Sequence, residues 1–136
     1  IPPAPADLAF ARDALPVLLR IRASSPLFRL DDAAEVSKRL RFPNTGPDQN
    51  PQVIAGHLDG RGLPGGDFHE ILYLLNASPD AQQLDLPTER SKRYVLHPVH
   101  RAAGAADPRP RGQARFDSAR GRFTVPPRTA LVYVLE

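Results

Sequence analysis

The spacing of hydrophobic residues changes along the chain, and its first part has the period of a helix. Apolar residues recur every three or four positions between Asp7 and Ala23, with arginines between them, which predicts an amphipathic helix. Pro16 lies inside this pattern, and an internal proline removes one helical hydrogen bond. Because Asp13 could cap a second segment, we expect a kink or break near Asp13. The apolar positions are Leu8, Ala11, Leu15, Leu18, Leu19 and Ile21.

A second, shorter helix is expected soon after the first. Asp31 or Asp32 is a favourable N-cap, and Glu35 has the spacing of a capping box. The helix should continue through Lys38. Pro26, which precedes it, ends the first helical segment because the residue before a proline is disfavoured in helical conformation.

Beyond these helices, short apolar or alternating runs are separated by residues that form turns. Their spacing of 8–15 residues predicts a mainly β fold, an antiparallel β-sandwich of about seven or eight strands with an N-terminal helical lead-in. The segment 101–113 has few apolar residues and is expected to be a loop. The predicted strands are 39–42, 52–60, 69–78, 81–86, 93–99, the two halves of 114–125 around a turn at 118–121, and 129–136.

Composition excludes several classes of function. The chain has no cysteine, so disulfides and thiolate metal sites are excluded. No apolar run is long enough to span a bilayer, and we expect no membrane partner. The net charge is +3, but the basic residues are scattered with few aromatics among them, and we therefore expect no nucleic-acid partner. The absence of methionine indicates that Ile1 is an internal position of a longer protein.

The polar residues form no recognisable catalytic or metal motif. His57, His69, His97 and His100 lack the spacing of a zinc site and are expected at the surface or at strand ends. The oxygen-rich segment 44–50 lacks the spacing of an EF-hand and is explained by turn formation. There is no G-x-S-x-G motif, and the carboxylates are scattered. We therefore predict no catalytic, cofactor-binding or metal-binding residue in this chain.

Five segments in order resemble a known family. "LLRIRASSPLFRL" is similar to the end of the last barrel helix in alpha-amylase-type glycoside hydrolases. "VSKRLRFPNTGPDQ" resembles the pullulanase-type alpha-1,6-glucosidases in particular. "ILYLLNASPD", "VLHPV" and "FTVPPRTALVYVLE" resemble strands of the C-terminal domain of the same enzymes. The resemblance extends from about Asp13 to Glu136.

The resemblance implies a domain division and a parent enzyme. Residues 1–25 would be the last helix of a catalytic barrel, and residues 26–136 a C-terminal β-sandwich domain. The parent would hydrolyse alpha-1,6-glucosidic linkages in pullulan, glycogen or limit dextrins by a retaining mechanism with two carboxylates. Its catalytic residues would lie on barrel strands outside this chain. The chain alone is thus expected to be inactive, with calcium left open as a cofactor of the parent.

The resemblance also implies an accessory role with two alternatives. In the first, Leu15, Leu18, Leu19 and Ile21 form the interface with the barrel of the same polypeptide, and the domain stabilises that barrel. In the second, the domain is an alpha-glucan-binding module, for which Tyr94 or Phe68 would contact the sugar. The compartment depends on the parent, which would be secreted if it acts on external pullulan and cytoplasmic if it trims glycogen.

Overall fold

The computed structural model describes residues 2–136, which form two antiparallel sheets and an N-terminal helix. The observed elements largely follow the predicted order. No helix in the described part of the chain is both long and apolar enough to cross a membrane. The elements are α1 (Pro5–Ala23), a 3-10 turn (Pro26–Arg29), α2 (Ala33–Arg39), β1 (Leu40–Arg41), β2 (Val53–Asp59), β3 (Glu70–Asn76), β4 (Gln82–Asp85), a 3-10 turn (Pro87–Glu89), β5 (Val95–Leu96), α3 (Pro98–Arg101), α4 (Arg109–Gln113), β6 (Arg115–Asp117), β7 (Arg122–Val125) and β8 (Thr129–Leu135).

The larger sheet has the strand order β1-β2-β3-β8-β5, and the smaller has the order β4-β7-β6. β3 lies between β2 and β8 and pairs with each over its full length. Tyr73, for example, is opposite Gly56 on one side and Val132 on the other. The last strand is therefore central in the sheet, which explains why it is so apolar.

The two faces of the larger sheet support two hydrophobic cores, because successive side chains point to opposite faces. Leu72, Leu74, Leu131 and Tyr133 face the smaller sheet and pack around Phe123. The opposite face packs against α1 and the turn that follows it. This second core contains Leu58, Ile71, Val132 and Val134 from the sheet, Val17 and Ile21 from α1, and Leu27.

The expected break in the first helix is wrong, because α1 continues through Pro16. Pro16 lies on the exposed side of α1, where water can hydrate the carbonyl that loses its partner. Asp13 does not cap a second segment; it pairs with Arg12 at 2.7 Å. Val17 lies directly after the proline and is buried in the second core, so packing holds both halves of α1 in one helix.

The second helix begins as predicted, but only half of the capping box forms. Asp32 accepts a hydrogen bond from the Ala34 N–H at 2.8 Å. Glu35 does not return to the cap. Instead its carboxylate binds Arg39, the last residue of α2, at 2.5 Å. The Arg39 side chain also donates to the Asp59 carbonyl, so α2 is attached to the end of β2.

Two short helices, α3 and α4, were not predicted. The sequence predicts a strand over 93–99 and a loop over 101–113, the latter because that segment has few apolar residues. In each helix a proline lies in the first turn, where its missing N–H costs little. The division of the chain at residue 25 stays a prediction, although α1 contributes Val17 and Ile21 to a core shared with the sheet.

Candidate functional site

The most prominent surface feature is an apolar stripe along α1. Leu15, Leu18 and Leu19 are 57%, 42% and 54% exposed, and Leu8 continues the stripe one to two turns earlier. Ile21, the fourth predicted interface residue, is only 3% exposed because it faces the sheet together with Val17. The spacing of these residues explains the difference, since positions 17 and 21 share one side of a helix and positions 8, 15 and 19 the other.

The apolar surface extends from α1 onto the larger sheet. Ile54, Leu75 and Ala130 lie side by side in adjacent strands, on the face that α1 partly covers. Both Ile54 and Leu75 are exposed. A groove of about 320 Å³ lies between Leu18 of α1 and Leu75 of β3. We call the combined area, made of Leu8, Leu15, Leu18, Leu19, Ile54 and Leu75, the apolar face.

A helix that is apolar on both sides is typical of one enclosed between two bodies. α1 has one side in the second core and the other side open to solvent. Large contiguous apolar patches on a protein surface often mark a contact with another protein. The geometry of the apolar face therefore fits a docking surface and offers no chemistry of its own.

The second feature is a buried polar cluster between the sheets, made of His57, Glu70, Glu89, Lys92 and Tyr94. The Lys92 ammonium lies 2.5 Å from a Glu70 oxygen and 2.7 Å from a Glu89 oxygen. The Tyr94 hydroxyl lies 2.9 Å from an oxygen of each carboxylate, and His57 Nε2 lies 2.8 Å from Glu70. Glu89 has no exposed surface. The members of this cluster come from separate strands and turns, so no local sequence pattern indicates it.

The pKa values in the cluster follow from burial and hydrogen bonding together. Burial by itself raises the pKa of Glu70, but hydrogen bonds from Lys92, His57 and Tyr94 outweigh it and hold the pKa at about 2. The pKa of Glu89 is also lowered, because bonds from Lys92 and its other donors overcome burial. Burial and the two carboxylates raise the pKa of the Tyr94 hydroxyl, which stays protonated and donates.

The cluster contains potential metal ligands, but both of its carboxylates already bind a lysine. Ligand atoms of His57, Glu70 and Glu89 lie within 4.8 Å of one another. Both carboxylates bind the Lys92 ammonium, so a metal ion would have to displace a fixed positive charge. This arrangement supports a structural role in which Lys92 and Tyr94 satisfy two carboxylates that burial would otherwise destabilise.

The expectation that the histidines lie at the surface or at strand ends is wrong for His57, which is buried in the middle of β2, and for His100, which is buried in α3; His97 directly follows β5. His57, His97 and His100 are buried, and only His69 is exposed. His97 caps α3 by accepting from the Val99 N–H, and its ring meets Phe68 edge-on at 5.3 Å. Burial lowers the pKa of both His97 and His100 to about 4, so both are neutral at pH 7.

Other predicted positions have structural roles. Asn44 in the oxygen-rich segment donates to the carbonyls of Asn50 and Val53, as expected for turn formation. Tyr94 and Phe68, the suggested sugar contacts, are 6% and 8% exposed, so neither presents a ring to solvent. A sugar-binding platform at these two positions is therefore not available in this fold.

Comparisons with known proteins agree on one family. The family described as alpha-1,6-glucosidases, pullulanase-type, C-terminal, matches residues 1–136. The chain is similar to a protein of Arabidopsis thaliana named pullulanase 1, chloroplastic. The two are 40% identical over 124 residues, which cover 86% of this chain and 12% of the relative.

Solved structures give the same result for the fold. A crystal structure of PulA from Klebsiella oxytoca superposes with a TM-score of 0.83 at 26% identity, covering 98% of this chain and 12% of that chain. Ligand-free PulA from Klebsiella pneumoniae gives a TM-score of 0.83 at 28% identity, with the same coverage of 98% and 12%. The chain thus spans about an eighth of the length of these relatives.

Proposed function

The chain belongs to the family of C-terminal domains of pullulanase-type alpha-1,6-glucosidases, and from this membership we propose that it is the non-catalytic accessory domain of a starch-debranching enzyme. The parent hydrolyses alpha-1,6-glucosidic linkages in pullulan, glycogen or limit dextrins. The domain packs on the catalytic barrel of the same polypeptide through the apolar face and stabilises it.

The observation that carries this proposal is the exposure of the leucines on α1. Leu15 and Leu19 lie on the side of α1 opposite Val17 and Ile21, which are buried in the second core, and Leu18 lies at the border between the two sides. A helix of this kind fits between the sheet of this domain and an outer surface of a barrel. The relatives are about eight times longer than this chain, so a protein of their length has enough polypeptide for the barrel that such an arrangement needs.

The energetic contribution follows from the area that becomes buried. Complete burial of a leucine side chain contributes about 1.5–3 kcal/mol. Because Leu15, Leu18 and Leu19 are each about half exposed in this chain, docking would add roughly 1 kcal/mol for each of them before the costs of ordering. A contribution of this size is a large fraction of the net stability of an ordinary domain.

In the proposed parent, chemistry and support are divided between two regions. A retaining glycosidase uses one carboxylate as nucleophile and another as acid and base. In barrel enzymes these groups lie at the C-terminal ends of the barrel strands. Glu89, which is buried, and Glu70, which is partly buried, are both bound to Lys92, so they serve the fold.

The test uses the full polypeptide that contains this chain and measures thermal inactivation of its branch-cleaving activity. Leu15→Ser together with Leu19→Ser should lower the inactivation temperature while leaving kcat at moderate temperature nearly unchanged. Phe42→Ser is the matched control, because Phe42 is equally exposed but lies outside the apolar face. Equal inactivation temperatures for both variants and the wild type would overturn the proposed role of α1.

A further inference from the structure

We propose that the docking surface continues beyond the apolar face to a pocket beside α2, and that this pocket receives an apolar side chain from the barrel of the same polypeptide. This inference rests on the proposed docking of the domain on that barrel and names a contact that fixes its position. The pocket, which we call the α2 pocket, has a volume of about 230 Å³ and lies where α2 and the 3-10 turn before it meet the larger sheet. Its partly exposed lining residues are Phe28, Leu30, Val36, Leu40 and Tyr73.

The α2 pocket is open to solvent although the side chains around it are apolar. Leu27 and Leu58 complete the lining, and both are buried in the second core. Of these seven side chains, only that of Tyr73 carries a polar group. A concave apolar site of this kind is typical of the pockets that anchor residues fill at protein interfaces.

The Tyr73 ring lies across Gly56 of the neighbouring strand. The two residues are opposite each other in β3 and β2, and a Cβ at position 56 would overlap the ring. A side chain at position 56 would therefore push the ring away from the sheet, into the space over this face. Glycine lets the ring lie close to the sheet, which keeps that space available.

Phe28 and Tyr73 connect the α2 pocket with the apolar face. Both residues line the pocket, and both also line the groove between Leu18 of α1 and Leu75 of β3. Leu18 and Leu75 belong to the apolar face, so a partner that covers the apolar face reaches the pocket across continuous apolar surface. This continuity assigns the pocket to the same partner as the apolar face, which is the barrel of the same polypeptide.

An apolar side chain fits the α2 pocket better than a sugar does. An apolar cavity of about 150 Å³ binds benzene, so the α2 pocket, at about 230 Å³, can hold a leucine or phenylalanine side chain. A glucose unit carries several hydroxyls, and burying them without hydrogen-bond partners is unfavourable. The single hydroxyl of Tyr73 cannot satisfy them, whereas an apolar side chain needs no such partner and gains free energy from burial.

The experiment places a photoreactive diazirine analogue of leucine at position 30 of the full polypeptide. The analogue resembles leucine in shape and, on illumination, links to the atoms that it contacts. Peptide mass spectrometry should find position 30 linked to a Leu, Ile, Val, Met, Phe or Trp outside residues 1–136. Leu135 is the matched control, because it is also partly exposed but packs against the core on the opposite face of the larger sheet. The analogue at position 135 should not link to the segment that position 30 captures.

Filling the pocket provides a second measurement. Val36→Trp adds an indole to the lining of the α2 pocket and should abolish the link from position 30, because the space for the incoming side chain is lost. Val95→Trp is the matched control, since Val95 lies in β5, outside both the pocket and the apolar face, and it should keep the link. A link from position 30 that persists in Val36→Trp would overturn the pocket as the binding site.

The same analogue at position 19 separates this inference from the proposed function. Capture of an outside segment at position 19 without capture at position 30 would overturn the pocket contact and leave the docking of α1 intact. A link from position 30 only to polar residues, only to residues 1–136, or only to a second copy in a mixture of isotopically light and heavy polypeptides would also overturn it. Loss of the link when maltotriose is added would assign the pocket to a sugar instead. Absence of capture at both positions would overturn the docking itself.

Discussion

His97 Nε2 lies 2.9 Å from Ser24 Oγ, so a single hydrogen bond joins the end of α1 to the segment that follows β5. Because His97 Nδ1 accepts from the Val99 N–H, the proton of the neutral ring is on Nε2 and is donated to the serine. The Ser24 hydroxyl then donates to the Ile21 carbonyl at 2.7 Å, in the last turn of α1. This arrangement of hydrogen bonds requires the neutral form of His97, because Nδ1 accepts only when it carries no proton.

The stability of the chain should fall as the pH decreases from about 6.5 to about 4. The pKa of His97 and that of His100 is 6.5 in the unfolded chain and about 4 in the folded one. In this interval the unfolded chain binds protons that the folded chain does not, so protonation favours unfolding. The loss should be on the order of 2 kcal/mol for each histidine, measured by urea unfolding across this pH range.

His97→Gln should reduce this pH dependence, because the titrating group is removed while a donor and an acceptor remain. His69→Gln is the control for the effect of a histidine-to-glutamine substitution at an exposed position. A wild-type profile that is flat between pH 6.5 and 4 would contradict the prediction.

Ser24→Ala should loosen the attachment of α1 to the sheet. The substitution removes the acceptor of His97 Nε2–H and leaves that buried donor unpaired, at a cost of about 1–3 kcal/mol. Hydrogen exchange should show faster exchange in the last turn of α1, while β8 keeps its protection. Ser91→Ala is unsuitable as a control because Ser91 has a φ of 63°. Ser118→Ala, which loses a bond to the Lys92 carbonyl, should not affect exchange in α1.

Lys92→Met should destabilise the fold by about 3–5 kcal/mol near neutral pH, because it leaves the buried Glu89 and the partly buried Glu70 without their cation. Glu70 has a lowered pKa of about 2 in the folded chain, so its stabilising contribution is present above pH 4.5 and is lost as the pH falls toward 2. The difference between variant and wild type should therefore shrink over that interval in urea unfolding measurements.

Lys38→Met provides the comparison for Lys92→Met. Lys38 pairs with Glu35 at 3.4 Å on an exposed helix surface, and such pairs contribute about 0–1 kcal/mol. A loss for Lys92→Met as small as that for Lys38→Met would show that the buried cluster tolerates an unpaired charge.

Gly121→Ala should destabilise the hairpin between β6 and β7 by about 2–4 kcal/mol. Gly121 has a φ of 66°, and an added Cβ would overlap the backbone carbonyl of Leu86, which cannot rotate away. Gly62→Ala is a matched control, because Gly62 has a φ of 72° but open space around it. The control should lose only about 1 kcal/mol, the conformational cost of a positive φ. Thermal unfolding of both variants would measure the difference, and equal losses would exclude the steric explanation.

The sequence alone determined most of the elements. Short apolar or alternating runs placed β4 within 81–86, and turn residues placed the hairpin around 118–121. Local rules were sufficient there because strands and caps depend on nearby residues. They were insufficient at Pro16, where burial of Val17 outweighed the lost helical bond, and for α3 and α4, whose prolines resemble loop residues.

The exposure of residues on α1 follows from both the sequence pattern and the tertiary structure. Periodicity selected Leu15, Leu18, Leu19 and Ile21 together, because all four are apolar and lie on one helix. Which side of α1 is covered depends on the packing of the helix against the sheet. That packing buries Ile21 and leaves Leu15, Leu18 and Leu19 exposed. Likewise His57, Glu70 and the neighbouring pair Glu89 and Lys92 lie in three separate parts of the chain, and pairing of β2 with β3 brings the first two together. Sequence spacing determines local conformation, whereas contacts between distant residues exist only after the sheets have packed.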